Sequence, residues 1–462
     1  MKIISILFLV GLVAVASCLV IIPKRTQSIS KSLLTFIILL AFTQLIIEGY
    51  YSQFKPGYLL LLLLVIRTLF SNKFRSRVQR GLVQWAIVLF ILASIIPWAI
   101  FLPIPQLHEP KGSHKVGTRI FRWVDVDRAE PFTSAEHDKR NVVVQAWYPT
   151  QQTGKETHSN YLDGLGNLPP KIGIIPSWIF DRYNQINTYG TLDAAISRKQ
   201  NYWPVIIFLT GNGASRSFYT SLVAGLASHG YVVLAIDHPY EAMITQLADG
   251  KIATTIEKHQ ADDPDLLKFM KDRLDLRIAD VKFVLNQLDE TEATADNFLS
   301  SLDKNRIVIA GHSLGGASAG VAMAADGRIK AAANVDGTLY GELPASDGTR
   351  AFLLLESKKD NSDRFLRYEN GNQEFFKQFG GGHRYELLEA DHYSFTDAPL
   401  LLAWPARFLA SHFLKLGNIP VKTNTVTVEI LDAFFYGALN DNYTPLDSVV
   451  NRYQGILRKP VD

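Results

Sequence analysis

The chain has 462 residues, and its 47 lysines and arginines stand against 44 acidic residues for a net charge of +3. That near-balance, with no basic block outside the apolar N-terminal part, argues against nucleic acid as a partner. The only cysteine, Cys18, lies in an apolar run, which excludes an intrachain disulfide, a cysteine-based zinc site and a thiol nucleophile in the rest of the chain.

Residues 1–105 are dominated by Leu, Ile, Val and Phe, whereas residues 106–462 have ordinary globular composition and are enough for one large core. Four apolar stretches divide the first part. Ile3–Ile22 is uncharged and long enough to cross a bilayer. Leu33–Ile47 runs on toward Tyr51, with Glu48 near its end. Tyr58–Phe70 is shorter, carries Arg67 and suits a re-entrant or tilted segment as well as a span. Leu82–Ile104 is long, with Trp85 and Trp98 near its ends as interfacial aromatics are. The expectation is an all-α transmembrane region of about four helices, making the chain a multi-pass integral membrane protein. Val15-Ala16-Ser17-Cys18 resembles a lipoprotein processing site, but Leu19–Ile22 continue the apolar run, so Cys18 is expected inside a helix.

Loop charge gives an orientation. Lys24, Arg25 and Lys31 follow the first stretch, and Lys73, Arg75, Arg77 and Arg80 follow the third, against Lys55 alone after the second. If positive loops stay inside, four spans leave residues after Ile104 on the extracytoplasmic side, and loss of the third span reverses this.

From Val142 onward, short β-branched runs alternate with helical stretches. Strands are predicted at Val142–Trp147, Val205–Leu209, Tyr231–Ile236, Arg306–Ala310, Lys330–Val335, Ala351–Leu355 and Arg384–Leu388. Helices are predicted between them, notably Leu274–Leu288 and Ala317–Ala325. Apolar strands alternating with helices imply an α/β fold, a mostly parallel sheet covered on both faces, with ligands at the C-terminal strand ends. Gln151–Gln200 has few periodic signals and reads as a cap or lid. Its Trp178, Phe180 and Tyr183 fit core packing better than the lining of a pocket. The C-terminal end of the chain carries no motif that implies chemistry.

Gly311-His312-Ser313-Leu314-Gly315 matches G-x-S-x-G, with a predicted strand before it and a small-residue helix after it. A serine hydroxyl becomes an exposed nucleophile on such a tight strand-to-helix turn, which points to Ser313 and to the α/β-hydrolase fold. The oxyanion of an acyl transfer needs two backbone N–H donors. One is expected from Leu314, the other from Asn212 in Thr210-Gly211-Asn212-Gly213, the loop after an early strand. Of eleven histidines, His383, His392 and His412 follow the serine, as the chain order of the fold requires. His392 sits just past a strand and is favoured as base; His412 reads as a half-buried packing residue of a helix. Asp336 and Asp360 each follow a strand and compete for the acid, and Asp391 reads as structural.

The stretch Phe208–Tyr219, the stretch Leu226–Tyr231 and the elbow Gly311–Gly316 resemble platelet-activating-factor acetylhydrolases of the plasma and intracellular isoform II type. The resemblance begins at Val116-Gly117-Thr118 and Val144–Pro149 and runs to about His392. It implies Asp336 as the acid beside Ser313 and His392, with Asn212 and Leu314 as oxyanion donors. Thr210 stands where that family usually has histidine, and Asn212 where it has an apolar residue. The implied activity is hydrolysis of short-acyl or phospholipid esters, with a lipid or small ester substrate, a bilayer as partner and no metal or organic cofactor. An amide or peptide hydrolase on the same residues, or a non-catalytic membrane receptor or scaffold, are the alternatives, and oligomeric state is not readable.

Overall fold

The computed structural model describes residues 3–461 apart from 22–26, 71–76, 102–103, 136, 152–157, 257–264, 291–297, 346–349, 359–362 and 418. The chain divides into two compact units. One comprises Met1–Pro105, Ile175–Gln185 and Leu401–Leu409, the other Gln106–Ile174, Ile186–Leu400 and Ala410–Asp462.

The first unit is built on helices α1 (Ile3–Ile21), α2 (Gln27–Ile47), α3 (Lys55–Leu69) and α4 (Arg77–Ile100). Phe8, Leu12, Ile37, Leu60, Leu64 and Ile87 form its core. The expectation of about four spanning helices is corrected here, because only Ile3–Val20 and Gly81–Ile100 are long and apolar enough to cross a membrane among the described residues. The first turns of α2 are polar, with Gln27, Ser28, Ser30, Lys31 and Ser32, which shortens its apolar part to Lys31–Ile47. Helix α3 has 15 residues and begins at Lys55. The two charges that interrupt the apolar pattern cap α1. The Glu48 carboxylate accepts the N–H groups of Ile4 and Ser5, each at 3.1 Å. Arg67 donates to the Leu19 carbonyl at 3.2 Å, near the other end. A carboxylate at the N-terminus and a guanidinium at the C-terminus complement the helix dipole and satisfy groups the helix leaves unpaired. Ile175–Gln185, part of the stretch read as a cap, belongs to this unit. Its Phe180 and Tyr183 are buried ring-to-edge at 5.1 Å, and Gln53 donates to the Ile179 carbonyl at 2.7 Å.

The second unit is organised by a ten-stranded sheet. In chain order its strands are β1 (Lys115–Ala129), β2 (Lys139–Thr150), β3 (Gly190–Leu192), β4 (Trp203–Leu209), β5 (Val232–Asp237), β6 (Leu302–His312), β7 (Ile329–Val335), β8 (Ala351–Ser357), β9 (His383–Leu387) and β10 (Ile456–Arg458). Their spatial order is β10-β9-β8-β7-β6-β4-β5-β2-β1-β3. From β5 to β9 every neighbouring pair is parallel. The chain steps from β4 outward to β5 and then returns to the other side of β4 with β6. That reversal lies between β4 and β6, and the C-terminal strand ends at such a reversal are where sheets of this kind bind ligands.

Residues alternate between the faces, and both faces are buried, so the strands read as continuous apolar runs. Val205, Ile207 and Leu209 join one core with α6 (Leu266–Glu290), α7 (Leu314–Ala325) and α8 (Asp363–Phe379). Ile206 and Phe208 join the opposite core with α5 (Thr220–Ser228), α10 (Pro420–Asn440) and α11 (Thr444–Arg452). The C-terminal end therefore supplies core. Ile430, Leu431, Phe434 and Leu446 are fully buried there, each contributing about 1.5–3 kcal/mol by burial. Helix α9 (Trp404–Leu414) carries His412, which is exposed rather than half-buried.

Candidate active site

Sheet register brings the candidate residues to one level. Leu209 of β4 pairs with Gly311 of β6, His312 pairs with Val335 of β7, and Val335 pairs with Leu355 of β8. The residues just beyond these pairs are Thr210, Ser313, Asp336 and Glu356, so loops that are distant in sequence leave the sheet side by side.

Ser313 sits between β6 and α7 with φ +58° and ψ −124°, a conformation strained for a residue with a Cβ. Its N–H donates to the Val335 carbonyl at 2.8 Å, which holds the turn against β7. At Gly315 an added Cβ would run into the Leu209 and Thr210 carbonyls, so the start of α7 lies directly on the loop after β4. Asp336 has φ +56°, and its turn is closed by Gly337 N–H donating to Asn334 Oδ1 at 2.8 Å.

The structure brings Ser313, His392 and Asp336 together. His392 Nδ1 lies 2.7 Å from Asp336 Oδ2, and its Nε2 lies 3.1 Å from Ser313 Oγ. A carboxylate only accepts, so Nδ1 carries the proton and Nε2 is free to accept the serine hydroxyl. Asp336 is fixed from its other side by Ser357, whose N–H donates to Oδ1 at 2.8 Å and whose hydroxyl donates to Oδ2 at 2.7 Å. These two bonds and the one from His392 hold the Asp336 carboxyl in a single orientation. The imidazole is 36% exposed, open to an incoming molecule, while the Asp336 side chain is 1% exposed. Asp360, the rival acid, lies outside the described residues. Asp391 caps the short turn His392–Phe395, with its N–H donating to Ser394 Oγ at 2.8 Å.

Sequence reading missed His312, Tyr219 and Ser357. The His392 carbonyl can only accept, so His312 Nε2–H donates to it at 2.8 Å. His312 Nδ1 then accepts the Tyr219 hydroxyl at 2.9 Å, and the Tyr219 oxygen accepts Gly211 N–H at 2.9 Å. One directed chain thus ties the loop after β4 to the backbone of the histidine loop. The variable position of G-x-S-x-G was the available signal for His312; Tyr219 and Ser357 carried none.

The histidine loop continues to Asp397, which is fully buried and accepts the Ser221 N–H near the start of α5 at 3.2 Å. Among the described residues its Oδ1 has no hydrogen-bond partner. Burial pushes its carboxyl up to about 7, with the Ser221 and Tyr161 hydrogen bonds pulling the other way. Between the ordinary carboxylate value and about 7 the folded form holds a proton that the unfolded form has lost. Stability is therefore lost as pH rises through that window, on the order of 3 kcal/mol between pH 5 and pH 8. Asp397→Asn is expected to raise the melting temperature over wild type by several degrees at pH 8 and hardly at pH 5. An equal shift at both values, measured by calorimetry, would contradict this.

No group of three or more metal-ligating side chains occurs among the described residues. The family model for platelet-activating factor acetylhydrolase, isoform II matches residues 101–359, a stretch that includes Ser313 and Asp336 and ends before His392. The chain is 29% identical over 279 residues to the probable 1-alkyl-2-acetylglycerophosphocholine esterase of Arthroderma benhamiae, covering 57% of this chain and 65% of that protein. It is 26% identical to the platelet-activating factor acetylhydrolase of Canis lupus familiaris, covering 51% of this chain and 58% of that one. The match thus spans less than two thirds of either relative. Among solved structures, the ferulic acid esterase of Streptomyces cinnamoneus is similar with a TM-score of 0.64 at 25% identity, over 77% of this chain and 99% of the other.

Proposed function

Because the chain belongs to the platelet-activating factor acetylhydrolase isoform II family, we propose that it is a serine hydrolase cleaving carboxylic esters of short acyl chains, including those of phospholipids. The observation that carries this reading is the line from Asp336 through His392 to Ser313, at 2.7 and 3.1 Å. Ser313 Oγ attacks the ester carbonyl while His392 Nε2 takes its proton. The N–H groups of Leu314 and Asn212 hold the oxyanion that forms. As the C–O bond breaks, His392 returns the proton to the departing alcohol, leaving the acyl group on Ser313. Water then gives a proton to His392 and attacks the acyl-enzyme, and the acid is released as Ser313 recovers its hydrogen. Asp336 stays ionised throughout, holds the imidazole and stabilises its cationic form. The names of the relatives, an acetylglycerophosphocholine esterase and an acetylhydrolase, and the accessible imidazole both support an ester.

Helices α1 and α4 anchor this enzyme in a membrane. Supporting this, Leu7 and Val10 of α1 and Leu82, Leu89 and Leu92 of α4 are more than half exposed, a costly arrangement in water. With α1 and α4 as the spans, the segment between them carries Lys24, Arg25, Lys31, Lys73, Arg75, Arg77 and Arg80. Its positive charge keeps it inside, which again leaves residues after Ile104 on the extracytoplasmic side. Resistance of the protein to alkaline extraction of membranes is the expected result, and release into the supernatant would remove the anchor.

The test of activity is a nitrophenyl ester series from acetyl to palmitoyl with detergent-solubilised protein. Turnover should fall as the acyl chain lengthens. A long-chain optimum would mark a lipase instead, cleavage of anilides but not esters an amide hydrolase, and no turnover a scaffold.

A further inference from the structure

The geometry points to Arg277 as a positioning residue that sets the oxyanion-binding peptide, by gripping the carbonyls on either side of Gly211 N–H from within the core. The inference rests on the reading of Ser313 as an ester-attacking nucleophile.

Arg277 lies on α6, far from Ser313 in sequence, and is 1% exposed. Its Nη1 donates to the Thr210 carbonyl, and its Nη2 donates to the Gly211 carbonyl at 3.3 Å. The Glu241 carboxylate pairs with the same guanidinium and fixes its plane. Glu241 is itself fully buried. Burial alone would push its carboxyl up, but Arg277, His238 and Arg273 beside it outweigh that and hold it below its ordinary value. The ion pair is therefore charged on both sides, and a planar fork between a carboxylate and two carbonyls leaves the guanidinium little freedom to rotate.

The consequence for the site follows from peptide geometry. The Gly211–Asn212 peptide is trans, as are all peptide bonds among the described residues, so it is planar with its C=O and N–H on opposite sides. Because the Gly211 carbonyl is drawn to Arg277 and also accepts the Ala214 N–H at 3.1 Å, the Asn212 N–H is turned away from the core. The loop meanwhile runs beside the nucleophile: a Cβ added at Gly211 would lie 3.4 Å from Ser313 Cβ and 3.0 Å from the Tyr219 hydroxyl. Arg277 thus holds the loop from below while Tyr219 holds Gly211 N–H from the side. Without the fork, the Gly211–Asn212 peptide could rotate and present its carbonyl to the reacting oxygen, replacing attraction by repulsion. A donor of this kind acts only if it is fixed before the reaction, and removing one costs about a hundred- to a thousandfold in kcat.

The experiment compares Arg277→Lys, which keeps the charge but loses the planar fork, with the double variant Arg277→Met/Glu241→Gln, which removes both charges of the pair and leaves Arg273 on the rings of Phe132 and Phe269. Full-length protein in detergent is assayed for kcat and KM on nitrophenyl acetate. The inhibition constant of an alkyl trifluoromethyl ketone, whose adduct with a serine places an oxyanion in the hole, is measured alongside. The expected result is a loss of about a hundredfold in kcat with KM within threefold, and a parallel loss in ketone affinity, in whichever variant retains wild-type circular dichroism. A purely structural role would lower the melting temperature and leave the folded fraction with wild-type kcat and ketone affinity; that result overturns the inference while the serine hydrolase reading stands. Wild-type protein that neither turns over the ester nor binds the ketone would overturn both.

Discussion

Ser313→Ala is expected to lower ester turnover by about ten-thousandfold or more, with KM little changed. The substitution removes the attacking oxygen but leaves His392 bonded to Asp336, the turn held by the Val335 carbonyl, and the two N–H donors. Residual hydrolysis would then come from water attacking a carbonyl polarised in the hole. Folding should be nearly unaffected, since alanine meets the same strain as serine at φ +58° and the hydroxyl contributes one hydrogen bond, at 3.1 Å, to a half-exposed imidazole. Steady-state kinetics beside circular dichroism check this. Turnover within tenfold of wild type would place the reaction on another residue.

Asp336→Asn is expected to lower kcat by about ten-thousandfold for a different reason. Asparagine can turn its oxygen toward the Ser357 N–H and so keep the turn, but its NH2 then faces His392 Nδ1. That face can only be satisfied if Nδ1 accepts, which moves the ring proton to Nε2, where it blocks removal of the serine hydrogen. The imidazolium that forms during attack also loses its counter-charge. The observable is a kcat loss with KM and fold preserved. A loss below about tenfold would shift the acid to another carboxylate.

The parts of the site that are legible in the sequence are those whose geometry is local. Ser313 is announced by glycines two residues away on each side, because the turn that strains it is built from its own neighbours. His392 follows from chain order and from a strand that ends just before it. Asp336 and Asp360 look alike in sequence because each follows a strand. Resemblance to a family favoured Asp336, whereas in the structure its position beside His392 comes from the pairing of Val335 with both His312 and Leu355, a property of sheet order. Arg277, Tyr219 and Ser357 were illegible for the same reason, since each meets its partner across a long loop in sequence and none belongs to a motif.

The fold divides along the same line. Strands buried on both faces, such as Val205–Leu209, announce themselves as apolar runs, whereas β1 alternates apolar residues with Arg119, Arg122 and Asp125 and gives no such run. In the N-terminal unit, apolar stretches could be counted but not helix lengths. Polar first turns shorten α2, and Arg67, which interrupts the third apolar stretch, donates from α3 to the end of α1.

The most direct test is covalent. Full-length protein in detergent is treated with a fluorophosphonate, digested and mapped by mass spectrometry. The expected result is a single phosphonyl adduct on the peptide carrying Gly311–Gly315, located on Ser313, formed slowly in Asp336→Asn and not at all in Ser313→Ala. An unlabelled Ser313 in wild-type protein that still hydrolyses nitrophenyl acetate, or an adduct on another serine, would contradict it.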